Sequence, residues 1–338
     1  MQPQLQNLWA YSMELLNHFD PDDVLNDALC QLYIRGTLYC RSNLRAPWAF
    51  SVERRPTLGF HAITHGRGWL EVEGEERKIL VSKGDLVLLP HGHRHVMRDS
   101  SKSQPKPLDE IVAENPLKDG IRLRAGGKGP LTILLCGGFQ VEGRTTNPLL
   151  ANLPNIIHVR GKNGQSVSWL GTILRQIELE TRATRPGTQT VIARLSDILF
   201  IQTVRAYFNE LTREPTGGWF GALKDPQVGA AIALIHGQPE VSWDVTLLAA
   251  RVGMSRSGFA AKFRALVGEP PLKYLTKWRV QKASRLLRTS DAKLSEVAEC
   301  TGYESEIALS RAFNRYMGVP PGKYRQSYAK TITEEHLG

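Results

Sequence analysis

Two stretches near the C-terminus repeat one pattern about fifty residues apart, and no other feature constrains the fold as tightly. The first runs L-A-A-R-V-G-M-S (Leu248–Ser255), then F-x-x-x-F-R-A-L-V-G-E-P-P-L-K-Y (Phe259–Tyr274). The second runs V-A-E-C-T-G-Y-E-S (Val297–Ser305), then L-x-x-x-F-N-R-Y-M-G-V-P-P-G-K-Y (Leu309–Tyr324). Phe263, Gly268, Pro271 and Tyr274 return as Phe313, Gly318, Pro321 and Tyr324, while Ala249 and Gly253 return as Ala298 and Gly302. Leu247, Leu248 and Val252 share one face of a short helix. Gly253 supplies the positive φ that ends it, and Ser255 can cap the next helix. There Phe259, Phe263 and Leu266 face inward, leaving Arg256, Ser257, Ala260, Ala261 and Arg264 elsewhere. In the second copy Leu309, Phe313 and Tyr316 or Met317 make the inward stripe, with Glu306, Ser310, Arg311 and Asn314 turned away. Each copy is a helix, a tight turn and a second helix.

Between the copies Leu272–Leu287 is periodic, with Leu275, Trp278, Ala283, Leu286 and Leu287 able to share a side, so one long helix is predicted to bridge them. Residues 225–328 then resemble the DNA-binding domain of AraC/XylS regulators, in which a rigid helix joins two helix-turn-helix modules. The most specific piece is G-Y-E-S-E-x-x-L-S-R-A-F-x-R-x-x-G-V-x-P-x-x-Y-R, at 302–325. The resemblance implies recognition helices near Arg256–Leu266 and Glu306–Tyr316 that enter successive major-groove segments of double-stranded DNA. The expected contacts are Arg256, Ser257, Ala260, Lys262 and Arg264 from the first, and Glu306, Ser310, Arg311, Asn314 and Arg315 from the second. Charge agrees, since residues 241–330 hold 16 Lys and Arg against 7 Asp and Glu, and the rest is nearly neutral at 27 against 26. A basic module on a neutral remainder suits a duplex partner.

A chain of 338 residues has room for two domains. Cys30, Cys40, Cys136 and Cys300 are too scattered for a C-x-x-C site and too few for a disulfide framework. The N-terminus lacks a basic n-region and no apolar run is long enough to span a membrane, so a cytoplasmic protein is expected. From Arg35 to Val141 short β-rich runs alternate with Gly, Pro and charged turns, and W-L-E-V-E-G-E-E-R-K-I-L-V reads as a hairpin turning at Gly74–Glu75. This texture predicts a small barrel or sandwich. The segment from Gly84 to Asp99 resembles the second cupin motif, with Asp99 where Asn is usual. The first cupin motif is degraded, with only His61 and His65 near it and Gly59 in place of its glutamate. The whole reads as an α+β multidomain chain, an N-terminal cupin-like β-barrel with a helical pair before an all-α domain of two helix-turn-helix modules. The expected boundaries are 1–160 for sensing, 161–215 for the pair, 216–224 for a linker and 225–330 for DNA binding.

The barrel interior, lined by Phe60, His61, Ile63, Trp69 and His95, is the expected effector pocket. His93 and His95 alternate, so on a strand they would face one way. With His61 and the Cys136 thiolate they form a candidate zinc set, against a reading in which His95 is merely hydrogen-bonded and Cys136 packs. Residues 100–130 read as a long surface excursion with Pro105 and Pro107 opposing helix. Val167–Thr184 and Thr190–Leu211 form two amphipathic helices, a candidate homodimer surface unless they cover their own barrel. Arg213–Gly221 reads as the linker. The expected function is a sequence-specific transcription regulator, an activator partnered by RNA polymerase, controlled by a small molecule or metal. The rival is a cupin-type metal-dependent enzyme fused to a DNA-binding domain, which the lost glutamate argues against.

Overall fold

The computed structural model describes residues 23–118, 121–141, 146–182, 185–211 and 218–328. They belong to two compact units. One comprises Tyr33–Glu142 and Leu153–Glu214, the other Met1–Leu32, Gly143–Asn152 and Pro215–Gly338.

The first unit is built on strands β1 (Ile34–Arg45), β2 (Ala49–Val52), β3 (Leu58–His65), β4 (Arg67–Val72), β5 (Ile79–Ser82), β6 (Leu86–Leu89), β7 (His95–Arg98), β8 (Lys106–Pro107), β9 (Arg122–Gly126), β10 (Leu131–Val141) and β11 (Ile157–Val159). They form a six-stranded sheet, β11-β6-β3-β10-β1-β9, and a five-stranded sheet, β5-β4-β7-β2-β8. Alternation along the strands sends Cys40, Leu44, Ile63, Val87, Leu134 and Cys136 from one sheet, and Phe50, Leu70, Val72, Val81 and Met97 from the other, into one shared core. The expected barrel thus takes the form of two sheets over a common interior instead of one closed ring. The predicted hairpin is β4–β5, pairing Arg67 with Ser82 and Leu70 with Ile79 around Gly74 at φ 84.

Residues 100–130 differ from the expectation of a surface excursion. Pro107 sits at the N-cap of a helix, Leu108–Glu114, where its missing amide costs no hydrogen bond. Leu108, Ile111 and Val112 then pack against the core, as does Leu117, and Leu123 on β9 is buried in it. The helical pair, Ser168–Arg182 and Thr188–Leu211, buries Leu170, Ile173, Leu174 and Ile177 on the first helix and Ile192, Leu199, Phe200 and Val204 on the second. Phe200 meets Phe139 of β10 at 5.3 Å, Asp197 accepts the Gly36 amide of β1 at 2.8 Å, and Glu178 pairs with Arg41 at 3.1 Å. The pair therefore covers the six-stranded sheet.

The second unit repeats itself in hydrogen bonds as the sequence repeats in letters. Helices Val245–Arg251 and Arg256–Val267 form one module, and Leu294–Cys300 and Glu306–Met317 the other. Gly253 and Gly302 turn at φ 67 and 73. The amide after the turn, Met254 or Tyr303, reaches back to Ala249 or Ala298 at 2.9 Å in each. Ser255 caps Gly258 and Ser305 caps Ala308, both at 3.2 Å. Phe259 with Phe263, and Leu309 with Phe313, are the buried stripes. The bridging helix spans Pro271–Thr289 and buries Leu275, Trp278, Ala283 and Leu287 as predicted. Residues 216–224 differ from the expected linker, because Gly218–Ala222 is helical and wholly buries Trp219, whose indole donates to the Tyr274 hydroxyl at 2.9 Å. Residues 212–217 lie outside the described residues. Helix Val24–Cys30 and the turn at Pro148–Ala151 complete this unit, joined where the Asn147 amide donates to the Ala28 carbonyl at 3.1 Å.

Candidate functional site

The second unit presents two helices of one design to solvent. With Phe259 and Phe263 turned in, Arg256, Ser257 and Arg264 are exposed and Ala260 is half-buried. With Leu309 and Phe313 turned in, Glu306, Arg311, Asn314 and Arg315 are exposed and Ser310 is half-buried. These residues line the outward face of each helix. Lys262 departs from this pattern. Its ammonium is bound at 2.7 Å by Asp225, which caps helix Pro226–Gly237, and at 2.9 Å by Gln227, so the lysine ties two helices together. The same ion pair, with the capping amides of Val228 and Gln227, holds the Asp225 carboxyl below its ordinary pKa against the opposing effect of burial. Ile307 was not expected among the exposed residues, yet 65% of its surface is open to solvent beside Glu306 in the first turn of helix Glu306–Met317. Its exposure follows from the register of Leu309 and Phe313, and that register could have identified it.

In the first unit β3, β7 and β10 bring His61, His95 and Cys136 together in the buried interior. His61 Nδ1 lies 3.1 Å from Cys136 Sγ, and its Nε2 lies 2.8 Å from His95 Nε2. His95 Nδ1 donates to the His93 carbonyl at 2.9 Å, which leaves His95 Nε2 as acceptor and makes His61 Nε2 the donor. That assignment leaves His61 Nδ1 to accept from the Cys136 thiol. Burial pushes the pKa of both imidazoles down, His61 farther, with the His95 charge as a second cause. Cys40 stands directly opposite Cys136 in the β1–β10 register. Hydrogen bonding with Cys40, and then burial, hold the Cys136 thiol well above its usual pKa.

This geometry corrects the expected zinc set. The two nitrogens of His61 diverge, one engaged by Cys136 and the other by His95, so the donors do not converge on one point. Among the described residues no group of three or more His, Cys, Asp or Glu could hold a metal ion. His93 leaves the set because β7 begins only at His95, and its ring lies 5.8 Å from that of His91 on the preceding turn. The expected effector lining changes too. Phe60 alternates away from His61 and packs its ring, tilted, against Phe139 at 5.3 Å, Ile63 is locked in the filled core, and Trp69 stands on the outer face opposite Leu80, 37% exposed. The open space lies nearby, a cavity of about 440 Å³ whose wall includes Leu44, Trp48, Phe50, Ile111 and Lys106. Phe50, one of its lining residues, is 5.9 Å from the His61 ring.

Comparison with known proteins agrees with both halves. A cupin family model matches residues 23–209, and a helix-turn-helix domain model matches 248–327. A Streptomyces lividans protein, named as an AraC-like transcription regulator, is 36% identical over 307 residues, covering 90% of this chain and 98% of its own. The HTH-type transcriptional regulator AlkR of Acinetobacter baylyi is 31% identical over 309 residues, covering 90% and 99%. Among solved structures, the DNA-binding domain of AdpA in complex with a target DNA matches with 39% identity and a TM-score of 0.31, over 32% of this chain and 96% of its own. Among the described residues no helix is long and apolar enough to cross a membrane.

Proposed function

The chain belongs to the AraC family of DNA-binding transcription regulators that carry an N-terminal cupin domain, and we propose that it reads its operator through the outward faces of helices Arg256–Val267 and Glu306–Met317. The carrying observation is the shared scaffold of the two modules, in which matching turns, caps and buried apolar stripes leave arginines exposed on each helix, Arg256 and Arg264 on the first and Arg311 and Arg315 on the second. Arg311 is the sharpest contact. Its planar fork fits the O6 and N7 of guanine, a geometry that no flexible point charge reproduces. Arg311→Ala is expected to cost about 1–3 kcal/mol on the specific site and to relax preference at one base pair. Quantitative footprinting reads both effects, and wild-type affinity in the variant would remove Arg311 from the contact set.

In this reading the first unit is the sensor. The cavity beside Trp48 and Phe50, within the volume range of small-molecule sites, replaces the expected pocket around Phe60 and Trp69. An effector there acts by binding two arrangements of the chain unequally. A homodimer through the helical pair is supported by Leu179, Val191 and Ile198, which stay 51%, 43% and 46% exposed after the pair has covered its own sheet. Activation through RNA polymerase is the proposed outcome, read as a rise in reporter transcription when the protein is supplied. The enzyme alternative draws no support from relatives named as transcription regulators.

A further inference from the structure

We infer that Ile307 reads a thymine methyl group in the operator, and that sequence discrimination is concentrated in the second module. This rests on the assignment of the second recognition helix to the major groove. Ile307 is the most exposed of the large apolar side chains among the described residues, at 65%. Nothing in the fold requires it there. A β-branched residue is a mediocre helix former, and an apolar one on an open face gains nothing from water. Its position explains it. Ile307, Ser310, Arg311 and Asn314 lie at i, i+3, i+4 and i+7, one continuous outward stripe opposite Leu309 and Phe313. In the major groove the one apolar feature among the base edges is the C5 methyl of thymine. An isoleucine one turn from an arginine fork therefore asks for a thymine close to the guanine that Arg311 accepts.

The first module lacks this equipment. The fifty-residue offset places Ser257 where Ile307 stands, Ala260 and Ala261 where Ser310 and Arg311 stand, and Arg264 where Asn314 stands. Two alanines and a serine offer little for base edges, while Arg256 and Arg264 suit the phosphates. The modules share a scaffold and divide the labour. The operator is then asymmetric, with an informative segment in which a thymine lies close to a guanine and a degenerate segment beside it.

The test uses the full chain and duplexes enriched by it from a random library. Each thymine of the enriched segment is replaced singly by deoxyuridine, which removes the methyl and keeps every hydrogen-bonding group. Burial of one methyl corresponds to a loss of about four-fold in affinity at one position. Ile307→Ala should bind the thymine and deoxyuridine probes alike at that position, while Arg311→Ala retains the thymine effect. Because Ile307 is exposed, its replacement leaves the core intact, which a matching melting temperature verifies. Wild-type indifference to every deoxyuridine, or an Ile307→Ala variant that still loses four-fold at the same thymine, overturns the inference. Equal information content in the two segments overturns the asymmetry. Failure to enrich any duplex would instead defeat the groove assignment on which the inference stands.

Discussion

The buried pair of His61 and His95 ties the first unit to proton concentration. An unfolded histidine takes up its proton near pH 6.5, about the ordinary value. In the fold both imidazoles sit in an apolar interior that lowers their pKa. Below about pH 6.5 the unfolded chain therefore binds more protons than the native one, and stability falls as pH falls towards the lowered folded values. Above that pH the contribution is complete. The urea midpoint for this unit should drop between about pH 7 and pH 5.5, and His61→Phe should flatten that dependence. A midpoint unchanged across the window would show that the pair is hydrated. The residue types of this cluster were legible in the sequence, since His61, His95 and Cys136 were drawn together there. Cys40 was not, because its place opposite Cys136 depends on a strand register that local pattern does not encode. The pairing of Lys262 with Asp225 is hidden for the same reason, since Asp225 caps a different helix.

At the level of elements, the two turns look interchangeable in sequence and are not so in space. Gly253 and Gly302 both have positive φ, which alone costs an L-residue about 1–3 kcal/mol. A Cβ on Gly253 would meet nothing within 4 Å, whereas on Gly302 it would stand 2.6 Å from the Pro239 carbonyl oxygen and the Arg279 guanidinium. Arg279 cannot simply withdraw, because it donates to the Pro239 and Val241 carbonyls at 2.7 and 2.9 Å. Gly302→Ala should therefore lower the melting temperature and operator affinity clearly more than Gly253→Ala, with both read by circular dichroism and footprinting. Equal losses would mean that the Arg279 bracket yields at no cost. The repeat made the modules, their caps and the bridging helix readable in advance, because those features are local in sequence. The bracket was invisible, since it joins three separate elements. Residues 100–130 misled for the opposite reason. Their polar composition masked a short apolar spacing at Leu108, Ile111 and Val112, and their prolines marked a helix start instead of its absence.

For the molecule as a whole, the boundaries drawn from sequence were consecutive blocks, but the DNA-reading unit is assembled from three separate stretches of chain. Composition and charge locate its main body and cannot locate the outlying pieces, whose membership is decided by packing alone. A fragment beginning at Asp225 omits Trp219, the indole bonded to Tyr274, and both outlying segments, including Thr146, whose hydroxyl accepts from the Gln281 amide. Such a fragment should still bind operator in the cold but melt well below the same unit in the full chain, as followed by calorimetry. Equal melting temperatures would make those segments dispensable. The discontinuity also sets a timetable on the ribosome. Helix Val24–Cys30 is made early, yet Ala28 finds its buried place only in a unit whose helix Pro226–Gly237 comes some two hundred residues later. At ordinary translation rates that interval is roughly 10–40 s, during which Val24, Leu25 and Ala28 have no finished site to occupy. The nascent chain carries an unburied apolar stripe on this helix for that time, a natural handle for chaperones, and completes its DNA-reading unit only after helix Pro226–Gly237 and the helices that follow it have emerged.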